Sequence, residues 1–304
     1  MWWRILKVVV SATLITWLLW RTPVSDIGAR LSSLDFTSLF GALVLTLTTT
    51  WLSALRLWFL APEFRLRDVV RMTFISLYYG TVLPGQVAGD VMKAYRLSRG
   101  QSAPGRAAAA TLVDRVIAVF ALFLLGACAV PWVAQAPPAL MFLFALPAAA
   151  IFLGLLVIAR PRAHALFTHW LGPRRPGGLR ALPGRLVDGL HSVLQHPLRL
   201  AACFLFAFVF HGLVIAIHMV LAHGLGINLP MTAWVLVYAG IALLLLLPIS
   251  IAGIGLREGG YVGLLAIFGV APTPALSLSL VLFAYMLFGA LLGWIAELTG
   301  GRTR

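Results

Sequence analysis

Apolar residues in this chain fall in long unbroken runs separated by short basic segments, unlike the alternating or one-sided stripes of a water-soluble fold. Runs at 37–60, 107–130, 139–159, 200–221 and 275–298 each reach the roughly 20 residues that a helix needs to cross the hydrocarbon core of a bilayer. Another run at 8–20 follows Arg4 and Lys7 in the manner of a signal peptide. The next residues, Arg21-Thr22-Pro23-Val24-Ser25-Asp26, offer no small-x-small cleavage site, so the run is read as a retained helix anchored by Trp17 and Trp20. Two runs are cut short. Residues 72–83 stop at Pro84-Gly85, and 234–248 stops at Pro248 and resumes near Gly260 for little more than ten residues. Both read as broken or re-entrant hairpins, whose freed backbone groups must be satisfied by protein or a wet cavity. For the second, two full crossings would leave the chain on the same final side, so charge bias does not separate dipping from crossing. The predicted class is an all-α polytopic membrane protein of about six full spans and two broken or re-entrant helical hairpins.

The two breaks resemble each other. Leu83-Pro84-Gly85-Gln86-Val87-Ala88-Gly89 and Leu247-Pro248-Ile249-Ser250-Ile251-Ala252-Gly253 share a Leu-Pro-x-x-x-Ala-Gly spacing, and Lys93 and Arg257 follow their prolines at the same offset. Oppositely oriented broken elements at corresponding positions are the arrangement of an inverted repeat. On this reading residues 1–304 form a single membrane domain, with halves 1–159 and 200–304 joined by a basic loop at 160–199.

Composition supports the membrane reading: 61% of residues are hydrophobic and 11% charged, and the mean hydropathy is +0.98. A net charge of +14 raises nucleic acid as a partner, but the arginines sit in short loops between apolar spans, which is the positive-inside pattern instead. Arg65, Arg67 and Arg71, and the seven arginines from Arg160 to Arg199 against Asp188, mark the cytoplasmic face of a bacterial-type inner membrane, with both termini on that side. Arg56, near the inner end of its span, is expected to snorkel. Cys128 and Cys203 lie in apolar runs, leaving neither a disulfide framework nor a Cys-rich metal site.

The charged residues beside the breaks are the candidate chemistry. Asp90, Lys93, Arg96, Arg257 and Glu258 would together cost on the order of 15 kcal/mol at the bilayer centre if unpaired. They therefore either pair around a cavity that admits a lipid headgroup or lie at the interface beside ordinary loops. Gly85, Gly89, Gly253 and Gly255 permit tight turns, and also allow backbone N–H groups to approach a phosphate. Asp114 and Arg115 can form a structural pair or cross-pair with the hairpin charges. His211 and His218 share one helix face, suited to two satisfied core residues or to a proton relay, and no third metal ligand is placed beside them. Tyr78 and Tyr79 read as packing or interfacial aromatics. No nucleophile elbow, phosphate-binding P-loop, His-Glu-x-x-His or paired catalytic carboxylates appear, and no catalytic residue, metal or cofactor is assigned.

At these residues the chain resembles the lysylphosphatidylglycerol synthase transmembrane region, also called the flippase-like domain. The resemblance rests on Leu83-Pro84-Gly85 with Gly89-Asp90, Lys93 and Arg96, on Asp114-Arg115, and on Pro248-Ile249-Ser250 running into Gly253-Ile254-Gly255-Leu256-Arg257-Glu258-Gly259. Lys93 stands where the family usually has arginine, which keeps the charge but loses the planar fork. The resemblance implies a membrane domain related to the part of two-domain resistance enzymes that moves aminoacylated phospholipid across the bilayer. The soluble aminoacyl-transferase domain of those enzymes is not in the sequence, which implies a lipid translocase or lipid-binding domain rather than an enzyme.

The functional expectation is a membrane-lipid translocase. An anionic or zwitterionic lipid would bind Asp90, Lys93, Arg96, Arg115, Arg257 and Glu258, with Pro84, Gly85, Gly89, Pro248, Gly253 and Gly255 shaping the hairpin backbone. A second copy of the chain or a separate lipid-modifying enzyme are the protein partners left open. The competing classes are an intramembrane glycosyl- or acyltransferase acting on a lipid, and a non-transporting scaffold.

Overall fold

A computed structural model of the chain describes residues 24–83, 88–98, 104–170, 182–246 and 253–299. The described residues are helical, with no strand among them. The helices are α1 (Val24–Ser32), α2 (Phe36–Leu60), α3 (Leu66–Val82), α4 (Ala88–Ser98), α5 (Pro104–Ala129), α6 (Ala139–Ala159), α7 (Pro161–Trp170), α8 (Leu182–Leu194), α9 (Pro197–Gly224), α10 (Met231–Leu246), α11 (Leu256–Ala266) and α12 (Pro272–Thr299). A single 3-10 turn, Val130–Trp132, extends α5.

Among the described residues five helices are long and apolar enough to cross a membrane: Phe36–Leu60, Gly105–Trp132, Ala139–Ala159, Pro197–Gly224 and Pro272–Thr299. They coincide with the five long runs of the sequence, and the chain is an integral membrane protein. The expected helix at 8–20 lies outside the described residues. Pro147 inside α6 is tolerated because neighbouring groups in a bundle can satisfy the carbonyl it frees. Asp35 caps α2 by accepting from the Ser38 N–H at 3.0 Å, satisfying one of the donors that every helix start leaves open.

The two broken elements each fold as a pair of adjacent short helices, since α3 packs along α4 and α10 along α11. At about 1.5 Å per residue, the 16 residues of α10 and 11 of α11 extend roughly 24 and 16 Å, both short of the ~30 Å hydrocarbon core. The pairs enter from opposite ends. Val69 of α3 and Leu97 of α4 belong to the core that also holds Leu60, Ala107, Val193 and Leu194, at the end carrying the basic segments. Trp234 of α10 and Leu265 of α11 belong to the core around Leu34, Val130, Leu225 and Ile227 at the other end. The tips, with Pro84, Gly85 and Pro248, lie outside the described residues. The basic segment at 160–199, where Pro and Gly are expected to break any long helix, carries the short helices α7 and α8, with the hydrophobic residues Leu190, Val193 and Leu194 packed in the basic-end core.

α12 ties the two pairs together, packing against α3 through its C-terminal part and also against α11. Gly293 lets α12 approach closely, because a Cβ there would overlap the Phe74 carbonyl oxygen and meet Tyr78 Cβ at 3.1 Å. Gly293→Ala should therefore cost about 1–3 kcal/mol. Gly41→Ala on α2 finds no atom within 4 Å and should be neutral or stabilising by up to about 1 kcal/mol. Thermal denaturation of the two purified variants in one detergent makes the comparison, and equal midpoints would show that the α3–α12 contact yields without strain.

Candidate functional site

The first cluster forms where α4 leaves the break. Gly89 seats α4 on α3, since a Cβ there would overlap the Ser76 carbonyl oxygen. Asp90 then falls in the first turn of α4, where the helix dipole favours a carboxylate. One turn on, Lys93 places its ammonium 3.2 Å from Asp90 Oδ1. From α5, Arg115 grips the other oxygen, donating from Nε at 2.8 Å and from Nη2. Burial divides these two cations: the Lys93 side chain is 4% exposed and that of Arg115 is 47% exposed. Around Arg115 the surface is apolar, with Leu112 a turn earlier on α5 and Val91 and Tyr95 on α4 all exposed. A guanidinium thus borders an exposed apolar surface.

Behind it lies a second pair. Arg56 of α2 donates to both oxygens of Asp114, Nε to Oδ1 at 2.5 Å and Nη2 to Oδ2 at 3.1 Å, with both side chains buried. The snorkelling expected of Arg56 does not occur, because a carboxylate 58 residues away holds its head inside the bundle. Its guanidinium carbon sits 5.6 Å from the centroid of Phe210, and Nη1 is buried with no hydrogen-bond partner among the described residues. Asp90 lies within electrostatic reach of Arg56. α5 therefore serves both neighbours, offering Asp114 to α2 and Arg115 to α4. Three cations, Arg56, Lys93 and Arg115, face two carboxylates, Asp90 and Asp114.

Arg96 is engaged elsewhere. It forks onto Glu297 of α12, with Nη2 to Oε1 at 2.6 Å and Nη1 to Oε2, and it also donates to the Tyr79 hydroxyl at 3.0 Å. The charge also lies 5.3 Å from the Tyr79 ring centroid. This clamp links α4, α3 and α12 near the basic end, and both charged side chains keep about a quarter of their surface exposed.

The second motif builds the start of α11. Gly253 and Gly255 have φ of 80° and 83°, a left-handed conformation that costs a residue with a Cβ about 1–2 kcal/mol. Glu258, at the third helical position, reaches back to accept from the Gly255 N–H at 2.6 Å, and its other oxygen accepts from Arg257 Nε at 3.1 Å and Nη2 at 2.6 Å. The Arg257 guanidinium lies 4.3 Å from the Phe283 ring centroid. Both side chains are buried, so this pair is closed where the first cluster is partly open.

Between the clusters runs a row of buried and partly buried polar side chains. His211 meets the Ala118 carbonyl through Nε2 and the Tyr238 hydroxyl through Nδ1, both at 2.9 Å. His218 meets the Val214 carbonyl through Nδ1 at 2.7 Å and the Tyr261 hydroxyl through Nε2 at 2.6 Å. A carbonyl only accepts, so the facing ring nitrogen carries the proton and the other accepts from tyrosine. Both histidines are thus satisfied in neutral form. Among the described residues no group of three His, Cys, Asp or Glu is placed to hold a metal ion. Tyr238 lies within electrostatic reach of Arg56 and Arg115, and Tyr261 of Arg257 and Glu258.

The structure therefore brings Asp90, Lys93 and Arg115 together and sets Arg96 and the Arg257–Glu258 pair apart. Each charge that the sequence singles out is paired, and among the described residues no ion pair joins the two hairpins. On α12, Phe283 beside Arg257 and Glu297 beside Arg96 are fourteen residues, roughly 21 Å, apart. Glu297, Tyr238 and Tyr261 are the residues the sequence reading missed, and Arg56 is one it placed at the interface, not inside the bundle. Glu297 had a signal, as the one charged side chain in α12.

A family model described as the lysylphosphatidylglycerol synthase TM region matches residues 4–293. No curated protein and no solved structure matches the chain.

Proposed function

From its membership of the lysylphosphatidylglycerol synthase TM-region family, we propose that this protein binds the polar headgroup of a membrane lipid at the cluster beside the α3–α4 break and carries it between leaflets. The observation that supports this best is Arg115, a guanidinium half exposed on an apolar surface and tied through Asp90 to the buried Lys93. A charge bordering lipid is costly unless something uses it. A headgroup phosphate approaching sideways could reach Arg115 while its acyl tails stay in the bilayer. The row from His211 to Tyr261 then offers polar partners toward Arg257 and Glu258, which serve as the far end of the path when the closed pair opens. The opposed hairpins fit alternating access of two inverted halves. The basic end, with Arg65, Arg67, Arg71 and the 160–199 segment, faces the cytoplasm of a bacterial-type inner membrane.

Purified protein in liposomes carrying a fluorescent phosphatidylglycerol should speed its exchange between leaflets. Arg115→Ala, which removes charge-assisted hydrogen bonds at a surface-accessible position, should cut that rate by about ten-fold or more. Equal rates for wild type, variant and empty liposomes would sink the assignment. Mass spectrometry of the lipids before and after incubation separates transport from a transferase, since only the latter makes a new species.

A further inference from the structure

The first cluster carries a charge surplus and a buried donor with no acceptor among the described residues, and together these specify what it binds. Arg56 presents one edge, Nε and Nη2, to Asp114, while Nη1 is buried and has no hydrogen-bond partner among the described residues. A buried guanidinium N–H left without an acceptor costs free energy that a bound acceptor would recover. Lys93 has three N–H donors, and its ammonium, buried to 4% exposure, has Asp90 as its ion-pair partner at 3.2 Å. Arg115 spends Nε and Nη2 on Asp90 and remains open to the lipid-facing side. Counting Arg56, Lys93 and Arg115 against Asp90 and Asp114 leaves one positive charge uncompensated. Unlike the Arg257–Glu258 pair, which balances itself, this cluster is completed by one further anion.

We propose that Arg56, Lys93 and Arg115 form one phosphate-binding triad, entered from the lipid side past Arg115, that selects lipids whose headgroup carries a net negative charge. The inference rests on the reading of the α3–α4 break as a headgroup site and deepens it. A phosphodiester with a neutral alcohol, as in phosphatidylglycerol, neutralises the surplus. A choline-type zwitterion satisfies the donors but brings its own cation toward Arg115. A headgroup with net positive charge, as in a lysylated phosphatidylglycerol, adds charge to a site already in surplus and is disfavoured in surroundings that screen poorly. Arg56, which reads from sequence as a snorkelling residue, becomes on this view the innermost phosphate ligand.

The test titrates the detergent-purified full chain with dihexanoyl forms of phosphatidylglycerol, phosphatidylcholine and lysyl-phosphatidylglycerol, and with inorganic phosphate, by isothermal calorimetry. Phosphatidylglycerol should bind about ten-fold or more tightly than the lysylated lipid, with phosphatidylcholine between them. Arg56→Lys keeps a cation opposite Asp114 but loses the second arm of the fork. It should weaken phosphatidylglycerol about ten-fold while the thermal midpoint stays near wild type. Binding of the lysylated lipid as tight as that of phosphatidylglycerol would overturn the proposal. So would Arg56→Lys binding like wild type at full stability, and inorganic phosphate competing as well as the lipid would remove the lipid from the assignment. Wild-type protein that binds with this preference yet fails to speed leaflet exchange overturns the transport reading and leaves the triad standing.

Discussion

Glu258→Ala should lower the stability of the protein by about 3–5 kcal/mol, the cost of leaving a buried charge without its partner. The Glu258 carboxylate does two things at once. One oxygen holds the Gly255 N–H that opens α11, and the other holds Arg257 through two nitrogens. With alanine in its place, Arg257 stays trapped against Phe283 and Met286 with no anion beside it. The helix start also loses its cap, worth about 1 kcal/mol. Glu258→Gln should fall in between, because its amide oxygen can still accept from Gly255 but cannot neutralise Arg257. The double variant Arg257→Leu/Glu258→Leu removes both charges and should be more stable than Glu258→Ala, despite changing more atoms. Chemical denaturation in a fixed detergent, followed by circular dichroism, supplies the three comparisons. A Glu258→Ala variant as stable as wild type would mean that water reaches the pair.

This closed pair shows what a sequence can and cannot reveal about such a site. The Gly-x-Gly-x-Arg-Glu motif is local: the two positive-φ glycines, the cap and the adjacent salt bridge all lie within a few residues, so pattern alone locates them. The long spans are legible for the same reason, since crossing a bilayer demands an uninterrupted apolar run. α6 spans the same residues, 139–159, in sequence and structure. What pattern does not carry is the choice of partner across the bundle. Arg56 meets Asp114 over 58 positions and Arg96 meets Glu297 over 201, contacts created by helix packing alone. Five charges near two breaks could therefore be expected to converge, whereas they are shared among three separate pairings. The close approaches at Gly89 and Gly293 had the same invisibility, because a glycine in an apolar run reads alike whether it faces lipid or a neighbouring carbonyl.

The three pairings differ in what they leave unfinished, and this difference gives each a separate role. The Arg96–Glu297 clamp is complete, partly solvated and placed where three helices meet, which suits a fastening. Arg257 and Glu258 are complete and sealed. The remaining cluster alone combines a buried donor with no partner among the described residues, a surplus charge and a guanidinium exposed on an apolar surface. In a bundle where each unsatisfied polar group costs free energy, the incomplete site is the one to which a ligand can add stability.

Asp114→Ala is the change that separates stability from binding at that site, and its effect should be as large as that of Glu258→Ala. Asp114 is the acceptor for two of the Arg56 nitrogens, and the third has no partner among the described residues. Removing the carboxylate leaves Arg56 wholly uncompensated and raises the local surplus from one positive charge to two, at a cost of about 3–5 kcal/mol. Arg56→Leu/Asp114→Leu removes the charges together and should recover most of that loss, since a buried pair replaced by apolar residues of similar volume is often neutral. If Arg56 and Asp114 only hold α2 to α5, the double variant should then move lipid as the wild type does. If Arg56 is the inner phosphate ligand, the double variant should fold but bind phosphatidylglycerol about ten-fold more weakly. It keeps Lys93, Arg115 and Asp90, so the net surplus of one charge is unchanged and only the donor is lost. Stability and affinity measured on the same two preparations therefore assign Arg56 its role, with a stable, tightly binding double variant as the result that reduces it to a fastening.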